Sequence, residues 1–325
     1  MKGNKKIILS GIQPSGTLCI GNYLGAIKNW VKLQHDYDSI FVVVDMHAIT
    51  ARQNPAELRK RCLSFAAQFI ACGIDPKLSS IFVQSHVSAH AELAWVLNCF
   101  TYMGELNRMT QFKDKSKKNN ANINAGLFTY PILMASDILL FQSEMVPVGK
   151  DQKQHLEMTR DIAIKFNNTF GEIFTIPDIE INESNDVVIG IDNQKMSKSY
   201  NNTIPIFASN DIIKDQVMNI VTDSAGLNDP KDQDTPLFKI YSLFLDDVSK
   251  KELSDRYNTP GLKYMDIKKE LIETIISFFE SQKLEREKLV LDNDEVTKKM
   301  ILGQTKAKEI AQKTLLEVKS ATGLI

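Results

Sequence analysis

The chain has 325 residues, with 39 basic and 40 acidic side chains and a net charge of −1, which excludes a global field for a polyanion and leaves any nucleic-acid contact to local patches. A 43% hydrophobic and 24% charged content is that of a globular chain with a full core, and the length suits two domains. No apolar run approaches the roughly 18 residues of a membrane span, and the start Met1-Lys-Gly-Asn-Lys-Lys6 lacks a signal-peptide core, so no membrane partner and a cytoplasmic location are expected.

The predicted elements begin with the apolar run Ile7-Ile-Leu9 and the segment Gly11-Ile-Gln-Pro-Ser-Gly-Thr-Leu-Cys-Ile-Gly-Asn-Tyr-Leu-Gly25. A strand, a turn rich in Gly and Pro and then a helix start would aim open backbone N–H groups and the positive end of a helix dipole at a phosphate. Tyr23, Leu24, Ile27, Trp30, Val31 and Gln34 share one helical stripe, and Ile40-Phe-Val-Val-Val44 is a buried strand. Pro55 opens a helix that runs to about Cys72 and closes at Gly73, before a third strand at Ser80-Ile-Phe-Val-Gln84. Strands buried on both faces and alternating with helices predict an α/β fold with a doubly wound parallel sheet.

Ala89 to Met109 has a helical pattern that ends in the polar run Gln111-Phe-Lys-Asp-Lys-Ser-Lys-Lys-Asn-Asn120, a loop of the kind that carries lysines over phosphates. The helix predicted over Pro131 to Phe141 is apolar nearly all round except at Ser136 and Asp137. A short strand at Met145–Val148 follows, then a helix from Asp151 to about Asn167, and Pro177 to Gly190 is irregular or short strands. Beyond Thr203 strands vanish, and helices are predicted over Asn210 to Val221, Leu237 to Asp246, Gly261 to Gln282 and Asp294 to Ala321. Cys19, Cys62, Cys72 and Cys99 form no CxxC pair. His86 and His90 stand one helical turn apart but have no Cys or Glu partner at metal spacing, so no metal site is assigned.

Lys195-Met-Ser-Lys-Ser199, paired with Pro14-Ser-Gly16 and Ile20-Gly-Asn22 after the first strand, resembles the signature pair of class I aminoacyl-tRNA synthetases. Asp45-Met-His-Ala-Ile-Thr50, Gly104-Glu-Leu-Asn-Arg-Met-Thr-Gln-Phe-Lys113, Thr129-Tyr-Pro-Ile-Leu-Met-Ala-Ser-Asp-Ile-Leu140 and Val146-Pro-Val-Gly-Lys-Asp-Gln-Lys-Gln-His155 extend the resemblance to bacterial tryptophanyl-tRNA synthetases. It runs from the first strand to about Thr222 and is thinner beyond.

The resemblance implies a Rossmann-like catalytic domain over 1–203, with a helical connecting insertion at about 89–130 and the signature loop. A helical anticodon-binding domain over 204–325 follows, whose last helix is expected to pack back on the catalytic domain. It implies activation of L-tryptophan by ATP with Mg²⁺ held on the phosphates, transfer of the aminoacyl group to tRNA(Trp), and a homodimer formed through the region around Ala89 to Tyr130. Such chemistry needs alignment and charge neutralisation rather than a protein nucleophile. By resemblance, Lys115, Lys195 and Lys198 neutralise charge. Gln13, Pro14, Ser15, Gly21, Asn22, Gly149, Asp151, Met196 and Ser197 join the last two lysines around ATP. Asp151 accepts hydrogen bonds from the ribose in that reading, and it caps the following helix in the plainer one.

Asp137 is the informative polar residue of its helix, because a buried carboxylate needs donors and an indole N–H donates without accepting. The resemblance assigns it to the tryptophan ring, with Leu9, His47, Tyr130, Met134, Val146, Val148 and Gln152 completing the pocket. A phenol hydroxyl also donates, so Asp137 alone does not exclude tyrosine. Three positions depart from the commoner family residues: Cys19 stands for Thr or His, Leu9 for an aromatic and Lys150 for Glu. Two other classes stay in view, an adenylate-forming enzyme that charges no tRNA and a non-catalytic binding module. The helical region after Thr203 argues against the first, and the retained Lys195 and Lys198 argue against the second.

Overall fold

The computed structural model describes residues 5–112, 123–149, 152–181 and 188–325. Five parallel strands, β1 Ile7–Ile12, β2 Asp38–Val43, β3 Ser79–Val83, β4 Met145–Val148 and β5 Asp178–Ile181, form one sheet in the order β3-β2-β1-β4-β5. β2 and β3 are buried almost throughout, and each runs into an apolar stretch, Ile40–Val43 and Ile81–Val83, because helices cover both faces of the sheet. The order reverses between β1 and β4, and such a switch leaves a crevice at the carboxyl ends of those strands. β5 falls inside the stretch expected to be irregular or short strands.

Local chemistry explains where the helices begin. Asn54 accepts the Glu57 N–H ahead of Pro55, and the helix Pro55–Ala71 follows. The helix expected from Pro131 starts earlier, at Ala125, and runs Ala125–Leu139, since the Asn124 side chain accepts the Leu127 N–H at 2.9 Å. Pro131 therefore lies inside the helix, where the lost hydrogen bond costs about 3 kcal/mol. Leu127, Ile132, Ile138 and Leu139 are buried on the same helix, and at about 1.5–3 kcal/mol each they outweigh that cost.

The pattern read as one helix from Ala89 to Met109 divides into Ala89–Cys99 and Met103–Asn107, because Glu105 accepts the Tyr102 N–H at 3.2 Å and starts a new turn. In the C-terminal region Pro236–Ser242 ends before Asp246, and Tyr264–Phe278 gives way to Glu280–Leu291. The helix Asp247–Asn258 was not expected: only Leu253 and Tyr257 are buried along it, too few to write an apolar stripe. Asp246 caps it by accepting the Ser249 N–H at 2.8 Å.

One core cluster lies on one side of the sheet around Trp30, Phe41, Phe65 and Phe69, and continues through Ile204, Ile206 and Ile213 to Leu237, Tyr257 and Leu271. The other contains Val42, Phe82, Phe141, Leu156 and Phe166. The last helix, Asn293–Ala321, joins both: Val296 and Met300 enter the first, whereas Ala307, Ala311, Leu315 and Val318 enter the second. It crosses the edge strand β3 at Gly303, where a Cβ would sit 2.5 Å from the Ile81 nitrogen. Only glycine allows this approach, which covers an otherwise open sheet edge.

Candidate active site

A cavity of about 350 Å³ occupies the crevice at the β1/β4 switch, within the ordinary range for small-molecule sites. Leu9 to Gln13 of β1 and its turn form one wall, and Val146 to Gly149 of β4 form another. The helix Ala125–Leu139 supplies Tyr130, Met134, Asp137 and Ile138, and His47, Gln111 and Gln152 complete that side. Opposite, the helical turns after the cradle widen to a π-helix over Tyr23–Ile27, which brings Gly25 and Ala26 to the cavity. All eight residues assigned by resemblance to the amino acid line this one space, as do Gln13 and Gly149.

Asp137 is buried at the foot of the cavity and accepts from three side chains. Oδ1 takes Nε2–H of Gln84 and Nδ1–H of His90, both at 2.7 Å, and Oδ2 takes Nε2–H of His47 at 2.8 Å. An ionised carboxylate only accepts, so the network assigns these protons to the two histidines. Burial alone would raise the carboxyl, but the hydrogen bonds from His47 and His90 and their charge outweigh it and hold Asp137 below the usual carboxylate range. Among the described residues Oδ2 has this one partner, so a lone pair remains for a donor in the cavity. Tyr130 donates to Gln111 Oε1 at 3.1 Å and takes His155 Nε2–H at 2.7 Å, which holds its ring edge-on to His47.

The cradle differs from expectation. The N–H groups at the helix start are already bonded within the protein: Leu18 to Gln68 Oε1 at 3.0 Å, Cys19 to Asn22 Oδ1 at 3.2 Å, Ile20 to Ile204 O at 3.0 Å and Gly21 to Met196 Sδ at 3.3 Å. The reason is tertiary, since the signature loop and the chain after it lie against the cradle. Of these acceptors the thioether sulfur is the weakest, so the Gly21 N–H is the one an oxygen ligand takes over most readily. The Cys19 thiol is buried, raised by that burial, and donates to Asn22 Oδ1 at 3.2 Å.

In the signature loop, Lys198 reaches across to donate to the Ser15 carbonyl, with its ammonium 5.0 Å from the Phe65 ring centroid. Burial lowers the Lys198 ammonium from its ordinary value, and the nearby Cys19 opposes this. Asn202 shapes the loop: Oδ1 accepts the Ser197 N–H at 2.7 Å, and Nδ2 donates to Asp192 at 2.7 Å and to the Lys195 carbonyl at 3.1 Å. Gly190 leaves room for it, since a Cβ there would lie 2.3 Å from Asn202 Nδ2. Pro14, Ser15, Gly21, Asn22, Met196, Ser197 and Lys198 thus gather beside the cavity mouth rather than within its lining.

Lys115, Lys150 and Asp151 lie outside the described residues. Sequence reasoning missed Gln84 and His90 as partners of Asp137, and Asn202 as the brace of the loop. Gln84 had one signal, a polar residue ending an apolar parallel strand, where sites of this fold collect. Spacing pairs His90 only with His86, whereas in the structure it turns to Asp137 and His86 stays exposed in the turn Gln84–His86. The arrangement suits a flat apolar group with one ring donor, next to a cationic loop suited to an anion.

The sequence pattern of the family described as tRNA synthetases class I (W and Y) matches residues 1–280. A tryptophan–tRNA ligase of Clostridium tetani is 46% identical over 330 residues, spanning 100% of this chain and 98% of that protein. One of Fusobacterium nucleatum is 45% identical over 318 residues, spanning 98% of each. A crystal structure of the tryptophanyl-tRNA synthetase of Campylobacter jejuni complexed with ADP and tryptophan is 44% identical, with a TM-score of 0.91 over 98% of this chain and 99% of that one.

Proposed function

The chain belongs to the class I tRNA synthetases of the tryptophan and tyrosine type, and we propose that it works as a tryptophan–tRNA ligase. It activates L-tryptophan with ATP to the aminoacyl adenylate, releases pyrophosphate, and passes the tryptophanyl group to the 3′-terminal ribose of tRNA(Trp). The observation that carries the substrate is the Asp137 carboxylate, held as an acceptor at the foot of an apolar cavity. The indole N–H donates to Oδ2 while Leu9, Met134, Val146 and Val148 cover the ring and Tyr130 and His47 close its edge. Burying the ring contributes about 25 cal/mol per Å², which smaller amino acids forfeit.

The substrate carboxylate is already ionised at neutral pH, so no protein base is required for its attack on the α-phosphate. Gln152 holds the amino acid against Gly149, and the Gly21 and Asn22 turn receives the phosphates. Lys195 and Lys198 stabilise charge on the departing pyrophosphate. Lys115 and Asp151 join them on sequence grounds, Lys115 as a further cation and Asp151 at the ribose. Mg²⁺ is assigned to the ATP phosphates, where it would supply further charge neutralisation.

Residues 1–203 form the catalytic part in this reading, and the helices of 204–325 meet the anticodon. A homodimer through the region around Ala89 to Tyr130 is supported by the exposed Trp95, Tyr102 and Met103. No described helix is long and apolar enough to cross a membrane, and a translation enzyme of this kind works in the cytoplasm. Pyrophosphate exchange measured with each amino acid, followed by charging of total tRNA, tests the assignment. Tryptophan alone should drive exchange and only tRNA(Trp) should be charged. Exchange driven by tyrosine would overturn the pocket assignment, and exchange without charging would leave an adenylate-forming enzyme.

A further inference from the structure

Two residues that do not line the cavity hold its only buried carboxylate among the lining residues. Gln84 is wholly buried at the carboxyl end of β3. Its Oε1 accepts the Met46 N–H at 3.1 Å and its Nε2 donates to Asp137 Oδ1 at 2.7 Å. A backbone N–H can only donate and a carboxylate only accept, so the amide has one possible orientation. His90, also wholly buried, brings Nδ1–H to the same oxygen at 2.7 Å, and its Nε2 has no hydrogen-bond partner among the described residues. The ring is held beside Phe82 and Phe141, with centroids 6.0 and 5.4 Å away. Ser136, next to Asp137, donates to the His90 carbonyl at 2.7 Å and ties the two helices together.

We infer that Gln84 and His90 are specificity-determining positioning residues: by saturating Oδ1 they fix the Asp137 plane, leave Oδ2 to the cavity and keep the carboxyl an acceptor, so that only a ring bearing an N–H donor is matched. This rests on the reading that the indole donates to Asp137. Without the two donors the carboxyl could rotate, or take a proton and present O–H to the cavity, and a ring lacking a donor would then be tolerated. A merely structural role for the pair would affect the folded fraction without changing which ring is chosen.

The test compares tryptophan with β-(benzothiophen-3-yl)alanine, in which sulfur replaces the ring N–H, by pyrophosphate exchange on the full-length wild type and on His90→Phe, His90→Asn, Gln84→Leu and Asp137→Asn. The readout is the ratio of kcat/KM for the two amino acids on one preparation, which cancels the fraction of folded enzyme. The wild type should prefer tryptophan by about 100-fold or more, as sites built to hydrogen-bond a substrate group do. His90→Phe and Gln84→Leu should each cut that ratio about tenfold, the loss falling on tryptophan, and His90→Asn, whose amide restores a donor, should recover most of it. If Asp137→Asn abolishes the preference while His90→Phe and Gln84→Leu retain it, the inference fails and the reading of Asp137 stands. If the wild type shows no preference, the reading of Asp137 fails and the inference falls with it.

Discussion

The two ends of the site are built on opposite plans. At the amino-acid end Asp137 is buried and bonded to three side chains that come from the helical turn Asp45–Ala48 after β2, from the residue that follows β3 and from the start of the helix Ala89–Cys99. At the nucleotide end the cationic residues sit on a loop, Lys198 is held by a backbone carbonyl, and the helix-start N–H groups are occupied by neighbouring chain. Rejecting the wrong ring needs an acceptor that cannot move, because a mobile one adapts to whatever enters. Stabilising a departing pyrophosphate needs cations whose contacts can be exchanged as charge develops.

If that contrast is right, substitutions at the two ends should fail in different ways. The largest effect is expected for Asp137→Ala, which strips three buried donors of their partner; at about 2–5 kcal/mol, tryptophan binding should weaken by about 30-fold to several thousand-fold while ATP binding changes little. Equal losses in titrations of the two ligands would show that Asp137 is structural and would erase the contrast. Next, Lys195→Ala should slow single-turnover adenylate formation by about 3 kcal/mol, near 100-fold, with modest change in tryptophan affinity. An unchanged single-turnover rate would remove Lys195 from the chemistry. The smallest effect belongs to Asn202→Ala, which removes its hydrogen bonds to the Ser197 N–H, the Lys195 carbonyl and Asp192 and should slow the same step by about 1 kcal/mol, roughly fivefold. A loss as large as that of Lys195→Ala would mean that the loop is held as rigidly as the pocket.

Much of the pocket was legible in the chain. Asp137 stood out because a charged residue in a helix apolar nearly all round has to be justified by a partner. Leu9, Val146 and Val148 were assigned to the pocket by resemblance, and the strand order that puts the carboxyl ends of β1 and β4 at the switch point came from the structure. The helix Asp247–Asn258 was not legible, as its two buried residues leave no periodic stripe. The cradle was misjudged for a different reason: a strand, a turn and a helix start look open when considered alone, whereas Met196, Ile204 and Gln68 supply acceptors from distant parts of the chain.

By itself, then, the sequence determined the α/β class and the helical C-terminal region, because these follow from periodicity, while the residues for an anion and an aromatic ring came from the resemblance of its motifs. Tertiary structure alone decided that Gln84 and His90 meet on one oxygen of Asp137, that Met196 caps Gly21, and that Gly303 lets the last helix cross β3. Each of these joins residues far apart in the chain, and neither propensity nor spacing encodes which distant donor will fill a given lone pair.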